Sequence, residues 1–163
     1  MSVETTKPEN TTHQEMSFGE RFDYEAYSDV SKAAELHEIK LIESHYTIKP
    51  VVFSVIQDFE AMNHGFVGEG GSLNYDSQKG VALGDYRWAA EIKHGRKKVL
   101  KLVANYLVVY TELHDFDETH VRFFFNKVGR FATYPYFRAL FSHHTAESGI
   151  LLPPLPTLSE RVN

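Results

Sequence analysis

With no cysteine in its 163 residues, this chain has neither a thiol nucleophile nor a thiolate metal ligand, so acid–base or metal chemistry would fall to its nine histidines and 22 carboxylates. The densest grouping is His114, Asp115, Asp117 and His120, which a helix start could bring together as an acid/base pair. The same acids have a simpler use. Asp117 is a good helix N-cap, and carboxylates beside a helix N-terminus complement its dipole. No nucleophile elbow or paired-histidine zinc signature accompanies them. His143 and His144 are adjacent, so they cannot share a helix face, and no histidine lies at the i and i+4 spacing a helical metal site needs. The GEGG at 68–71 lacks the Gly-Lys-Ser/Thr and the following helix of a phosphate cradle. The expectation is a protein with no catalytic residues, no metal and no cofactor.

Charge excludes further classes. Residues 1–33 hold seven acids and three bases, net −4 of the total −5, which leaves 15 acids and 14 bases in the remainder. A nearly neutral body without a basic stripe gains little from counterion release, so no nucleic-acid partner is expected. HGRKK at 94–98 reads as a solvated hairpin tip. The longest apolar runs, such as LVANYLVVY at 102–110, fall far short of the roughly 20 residues of a membrane span. No direct membrane insertion is expected, and the lack of a basic and then apolar N-terminus points to a cytoplasmic location.

The elements that would position these residues follow from hydrophobic spacing. The opening MSVETTKPENTTHQEMS has no periodic apolar residues, and 1–33 as a whole reads as a flexible acidic arm, punctuated by Phe18, Phe22, Tyr24 and Tyr27. LHEIKLIESHYTI at 36–48 reads as a strand. Its apolar parity changes between Ile39, Leu41 and Tyr46, Ile48, which requires a bulge or bend near Glu43 and Ser44. VVFSVIQDF at 51–59 alternates as a second strand, and 61–84, with six of the ten glycines, reads as a long mobile connection. Tyr86, Trp88, Ala90 and Ile92 alternate with polar neighbours as a third strand. The run 99–113 is apolar on both parities, as in a central strand covered by helix on one side and a neighbouring subunit on the other. Two helices follow. The first runs from Asp117 with a stripe Val121, Phe124, Phe125, Val128 to a stop at Gly129; the second starts at Pro135 and ends at Gly149. Beyond it, LLPPLP at 151–156 favours a stiff extended path.

The segment NKVGRFATYPYFRALFSHHTAESGILLPPLPTL, residues 126–158, resembles the C-terminal signature of the SecB-like export chaperones. It carries Asn126, an aromatic-Pro-Tyr helix start at Tyr134, Pro135 and Tyr136 with Arg138 beyond, a Thr-Ala-x-x-Gly helix end at Thr145, Ala146 and Gly149, and a tail of Leu152, Pro153, Pro154 and Leu155. IKLIESHYTI and YLVVYTEL are similar to the family's first and last strands, so the resemblance spans about 34–158. Ala139, Glu147 and Ser148 depart from the acidic and basic residues common there.

The resemblance implies an α+β domain at 34–158 followed by a short tail at 159–163: a four-stranded antiparallel sheet with two helices packed on one side, assembled as a homotetramer, a dimer of dimers. It implies an ATP-independent holdase that keeps unfolded precursor proteins translocation-competent, with SecA as a possible export partner. A dedicated chaperone of a single antitoxin or other labile partner is the alternative, and a chain that stops at Asn163 favours it. A second alternative is an adaptor that recognises a folded partner through the acidic arm. In the holdase, Phe66, Val67, Leu73 and Tyr75 of the glycine-rich segment, with Phe131 and Tyr134, would line the client groove, and Tyr136, Phe137, Leu140, Phe141 and His144 would form the subunit interface.

Overall fold

The computed structural model of the chain describes residues 23–57 and 62–158. Its frame is one antiparallel sheet of four strands: β1 (Glu35–Ile48), β2 (Met62–Asp76), β3 (Val81–His94) and β4 (Lys97–Thr111), in the order β1-β4-β3-β2. Helices α1 (Tyr24–Ala33), α2 (Val52–Val55) and α3 (Glu118–Glu147) complete the α+β architecture. α3 packs on β2, β3 and β4, and α1 packs on α3.

The alternation in β3 holds. Ala82, Tyr86, Trp88, Ala90 and Ile92 are buried beneath α3, as are Leu100, Leu102, Ala104, Tyr106, Val108 and Tyr110 of β4. The opposite parity of β4, Val103 and Leu107, is only half-buried, because no element of the described chain covers that face. The parity change in β1 is resolved by register shifts at Leu36/Glu38 and Leu41/Glu43, each passing one extra residue. They keep Ile39, Leu41, Tyr46 and Ile48 opposite Val108, Tyr106, Leu102 and Leu100, all on the helix side. The HGRKK tip is a two-residue turn between His94 and Lys97, with Gly95 at φ +58°.

Between β1 and β3 two stretches differ from their sequence expectation. Residues 51–57 form the short α2 and a turn instead of a strand, with Val52 buried while Val51 and Phe53 are exposed; Phe59 lies outside the described residues. The second strand is instead β2, inside the stretch expected to be a mobile connection. Its glycines are there for space. A Cβ at Gly68 would stand 2.5 Å from the Trp88 ring, and one at Gly70 would meet the Asn126 amide of α3. Gly84 of β3 likewise leaves room for Phe125. Glycine usually weakens a strand, but here it admits aromatic rings and a helix that a side chain would exclude.

The two expected helices are one. α3 runs through Gly129 and Pro135 without a break, capped by the Asp117 carboxylate on Thr119 N–H at 2.8 Å. An interior proline removes a hydrogen bond and costs about 3 kcal/mol. What offsets it is a platform of matching length: 30 helical residues span about 45 Å, and strands of 14–15 residues reach about the same. Val121, Phe124 and Phe125 before the proline and Phe137 and Phe141 after it all bury against that platform. Gly129 is not a stop but a contact point, close to the Tyr86 ring.

Part of the stretch expected to be a flexible arm is helical. Asp23 caps α1 through Glu25 N–H and Ala26 N–H, Val30 is fully buried, and Tyr27 meets Phe123 of α3 edge to face at 5.2 Å. Phe123 thus stands off the stripe because it serves α1. Residues 1–22, with Phe18 and Phe22, lie outside the described residues.

Tyr106 and Tyr110 tie the core to pH. Both are 3% exposed, and burial pushes each phenol up to about 12. In the unfolded chain they ionise near pH 10. Their contribution is therefore intact below about pH 10 and is lost above it, by up to about 1.4 kcal/mol per pH unit for each phenol, until the folded groups ionise near pH 12. Urea midpoints taken across this window should fall steeply, and Tyr110→Phe should make the fall shallower by the share of that one phenol, since burial also raises Tyr75, Tyr86 and Tyr134. Tyr110 Oη has no hydrogen-bond partner among the described residues, so this substitution should not lower stability at neutral pH.

Candidate functional site

Among the described residues β2 is hydrogen-bonded to β3 only, so its other side is a sheet edge that no described strand covers. Natural edges are usually blunted by lysine, proline or charge. Residues 62–70 of β2, MNHGFVGEG, carry one carboxylate, no lysine and no proline. Along this edge the side chains alternate between two environments.

On the helix side, Phe66 stacks on Tyr134 at 5.4 Å, Tyr134 meets Trp88 at 5.0 Å, and Trp88 stacks on Phe137 at 5.7 Å. Trp88 Nε1–H donates to Thr133 Oγ1 at 2.8 Å, and Thr133 donates to Gly129 O at 2.7 Å, so the buried indole N–H and threonine hydroxyl are satisfied by each other and by the helix backbone. Phe131, one turn before Tyr134, is 39% exposed. On the open side, Val67 is 62% exposed beside a depression of about 420 Å³ whose lining takes in Asn63, Gly65, Val67, Ala89, Glu91 and Lys93, together with His64 and Phe66 of the same edge strand.

The tail explains the motif after the helix. Gly149, at φ +71°, ends α3 with its N–H on Ala146 O and Ile150 N–H on Thr145 O, both at 2.9 Å. Residues 150–158 then run extended along α3. Ile150 and Leu155 are buried, Arg138 Nε donates to Leu155 O at 2.6 Å, and the Tyr134 hydroxyl donates to Pro156 O. The stiff prolines keep the ordering cost small. Arg138→Ala should release this strap, since hydrogen bonds to charged groups contribute about 1.5–3 kcal/mol. Proteolytic cleavage within 151–158 is expected to accelerate about tenfold or more while the global unfolding midpoint moves little.

Of the residues singled out for a groove, the structure joins Phe66 to Tyr134 and places Phe131 nearby, with Val67 on the opposite face. Leu73 and Tyr75 sit toward the other end of β2, where the Tyr75 hydroxyl donates to Leu113 O at 2.6 Å and accepts from Phe116 N–H at 3.1 Å, pinning the loop into α3. Of the residues singled out for an interface, Phe137 and Phe141 are buried in the chain's own core. Leu140 is half-buried, Tyr136 is 56% exposed, and His144 stacks on Tyr46 of β1 at 4.8 Å. Asp117 is engaged as the helix cap, and hydrogen bonding from Thr119 N–H holds its carboxyl below the usual range, with His120 at 3.5 Å. His114 faces Gln78 O at 3.2 Å. Among the described residues no cluster of three or more metal-ligating side chains occurs, and no helix is long and apolar enough to cross a membrane. The Trp88–Thr133 pair escaped the sequence reading; the lone tryptophan on an alternating strand was its one visible signal.

No protein-family pattern and no curated protein sequence matches the chain. Among solved structures, it is similar to the Mycobacterium tuberculosis SecB-like chaperone Rv1957 in complex with a ChAD peptide from the Rv1956 HigA1 antitoxin. The TM-score is 0.68 at 16% identity, covering 85% of this chain and 99% of that one. A Streptococcus agalactiae protein of unknown function aligns with a TM-score of 0.35 at 11% identity, covering 77% of this chain and 96% of that one. An antiparallel sheet ordered β1-β4-β3-β2 under one long helix, superposing over nearly the whole of Rv1957, is the SecB-like fold.

Proposed function

We propose that this protein is an ATP-independent holdase chaperone that binds an extended, non-native polypeptide along the free edge of β2. The observation that carries this is the coincidence of an unguarded edge with an aromatic row, Phe66 to Tyr134 to Trp88, along the same strand. A client segment adds as a further strand, so that backbone hydrogen bonds supply sequence-tolerant affinity and alternate side chains supply selectivity. Phe66, Phe131 and Tyr134 meet the client on the helix side and Val67 on the open side, with Leu73 and Tyr75 at the far end of the same strand. Binding the unfolded state alone keeps clients open by mass action.

A dedicated labile partner, such as an antitoxin, is the favoured client. The similar Rv1957 structure holds an antitoxin peptide, and the body of this chain is nearly neutral, which gives little long-range attraction for a basic export partner. General export of precursors is the alternative. Assembly as a tetramer in the cytoplasm would array several grooves and raise avidity through effective concentration, with exposed Tyr136 of α3 at a subunit contact. The test is suppression of aggregation of a reduced, denatured substrate without nucleotide, together with native mass. A monomer that leaves aggregation unchanged overturns the proposal. In pull-downs, one unstable partner indicates the dedicated role, and many precursors with SecA indicate export.

A further inference from the structure

We infer that the depression on the open face of the sheet is a second side-chain pocket for the same bound segment, selective for an apolar residue flanked by acidic ones. This rests on the client proposal above, because it takes the occupant to be an extended polypeptide paired on β2.

The pocket exists because of two small residues. Gly65 of β2 and Ala89 of β3 form its floor, and a Cβ built at Gly65 would have nothing within 4 Å. By strand alternation Val67, whose register partner is Ala89, points to this side, whereas Phe66 points to α3. A strand added to β2 must follow the same alternation. If one of its side chains lies over Phe66 and Tyr134, its immediate neighbours project over the open face, where the 420 Å³ depression borders the edge. That volume is within the range of sites for compact organic groups.

The charge beside the pocket chooses among apolar segments. Glu91 has Lys98 at 2.6 Å, Lys93 at 3.7 Å and Lys101 at 4.0 Å, so three ammonium groups surround one carboxylate. The hairpin turn that follows carries Arg96. This end of the open face is net positive although the whole chain is acidic. A segment with acidic residues beside its apolar ones gains attraction here, and a basic one meets repulsion.

Two short fluorescent peptides of alternating sequence test this. One carries aromatic or leucine residues on both faces with glutamates beside them; the other is identical except for serine at every position of one parity. Wild-type protein should bind the two-faced peptide about tenfold more tightly or better, the worth of one large apolar side chain. Gly65→Leu should fill the pocket and bring the two-faced peptide down to the affinity of the one-faced peptide. Replacing glutamate by lysine in the two-faced peptide should weaken it further at low salt. Equal wild-type affinity for the two peptides, whichever parity carries serine, overturns the pocket and leaves the groove on β2 standing. Absence of binding to any of them overturns both.

Discussion

Trp88→Ala is expected to lower the unfolding free energy by about 3–5 kcal/mol, the largest effect of any single substitution in this chain. Trp88 is fully buried, and its ring contacts Phe66, Tyr86, Tyr134 and Phe137, so its removal leaves a cavity at the crossing of β2, β3 and α3. Thr133 keeps its bond to Gly129 O but loses the indole donor. Trp88→Phe, which keeps a ring and loses only the hydrogen bond and part of the volume, should cost less than half as much. Urea denaturation followed by circular dichroism reads both. Gly68 supplies a sharper check, because a Cβ there would collide with the ring. Gly68→Ala alone should destabilise the protein, by about 1–3 kcal/mol for an overpacked contact. In the Trp88→Ala background the same methyl should cost nothing or stabilise. A coupling of that sign is what shared space requires; simple additivity would show that the strand glycine and the tryptophan do not share a site.

The largest functional effect is expected from Phe66→Ser combined with Val67→Ser. These neighbours project to opposite faces of the free edge, so the pair removes one apolar contact on each side of a bound strand. At about 1.5–3 kcal/mol for each large apolar side chain, affinity per groove should fall at least tenfold. If several grooves share one client, the loss compounds. The concentration that half-suppresses aggregation of a denatured substrate should rise accordingly, with secondary structure and native mass unchanged. Val67 is mostly exposed, so its part of the change carries little stability cost; Phe66 gives up ring contacts to Tyr134 and Trp88, and its single variant calibrates that. Undiminished holding by a folded double variant would place the client elsewhere.

Much of the frame was legible because its causes are local. Alternation over β3 declares one wet face, and apolar residues on both parities declare β4 central. The parity change in β1 demands an extra residue, which the register shifts supply. Asp117 caps α3 and Gly149 ends it by side-chain and backbone chemistry that a few neighbouring residues contain. The aromatic-Pro-Tyr motif and the leucine-proline tail could be read together, and the structure shows why they belong together: Tyr134 and Arg138 hold the carbonyls of Pro156 and Leu155.

Other decisions belong to tertiary structure alone. The glycines of β2 look like a loop until Trp88 and Asn126, 20 and 56 residues further along the chain, are seen to need the space above them. Gly129 and Pro135 are stop signals in isolation, yet α3 continues through both, because a platform as long as the helix rewards every further turn with burial. Residues 51–57 alternate like a strand, but the sheet's fourth place is taken by β2, whose backbone can lie closer to the helix. In each case the deciding contact joins residues distant in sequence, and local propensities of about 1–3 kcal/mol yield to the larger sum of packing along the whole sheet.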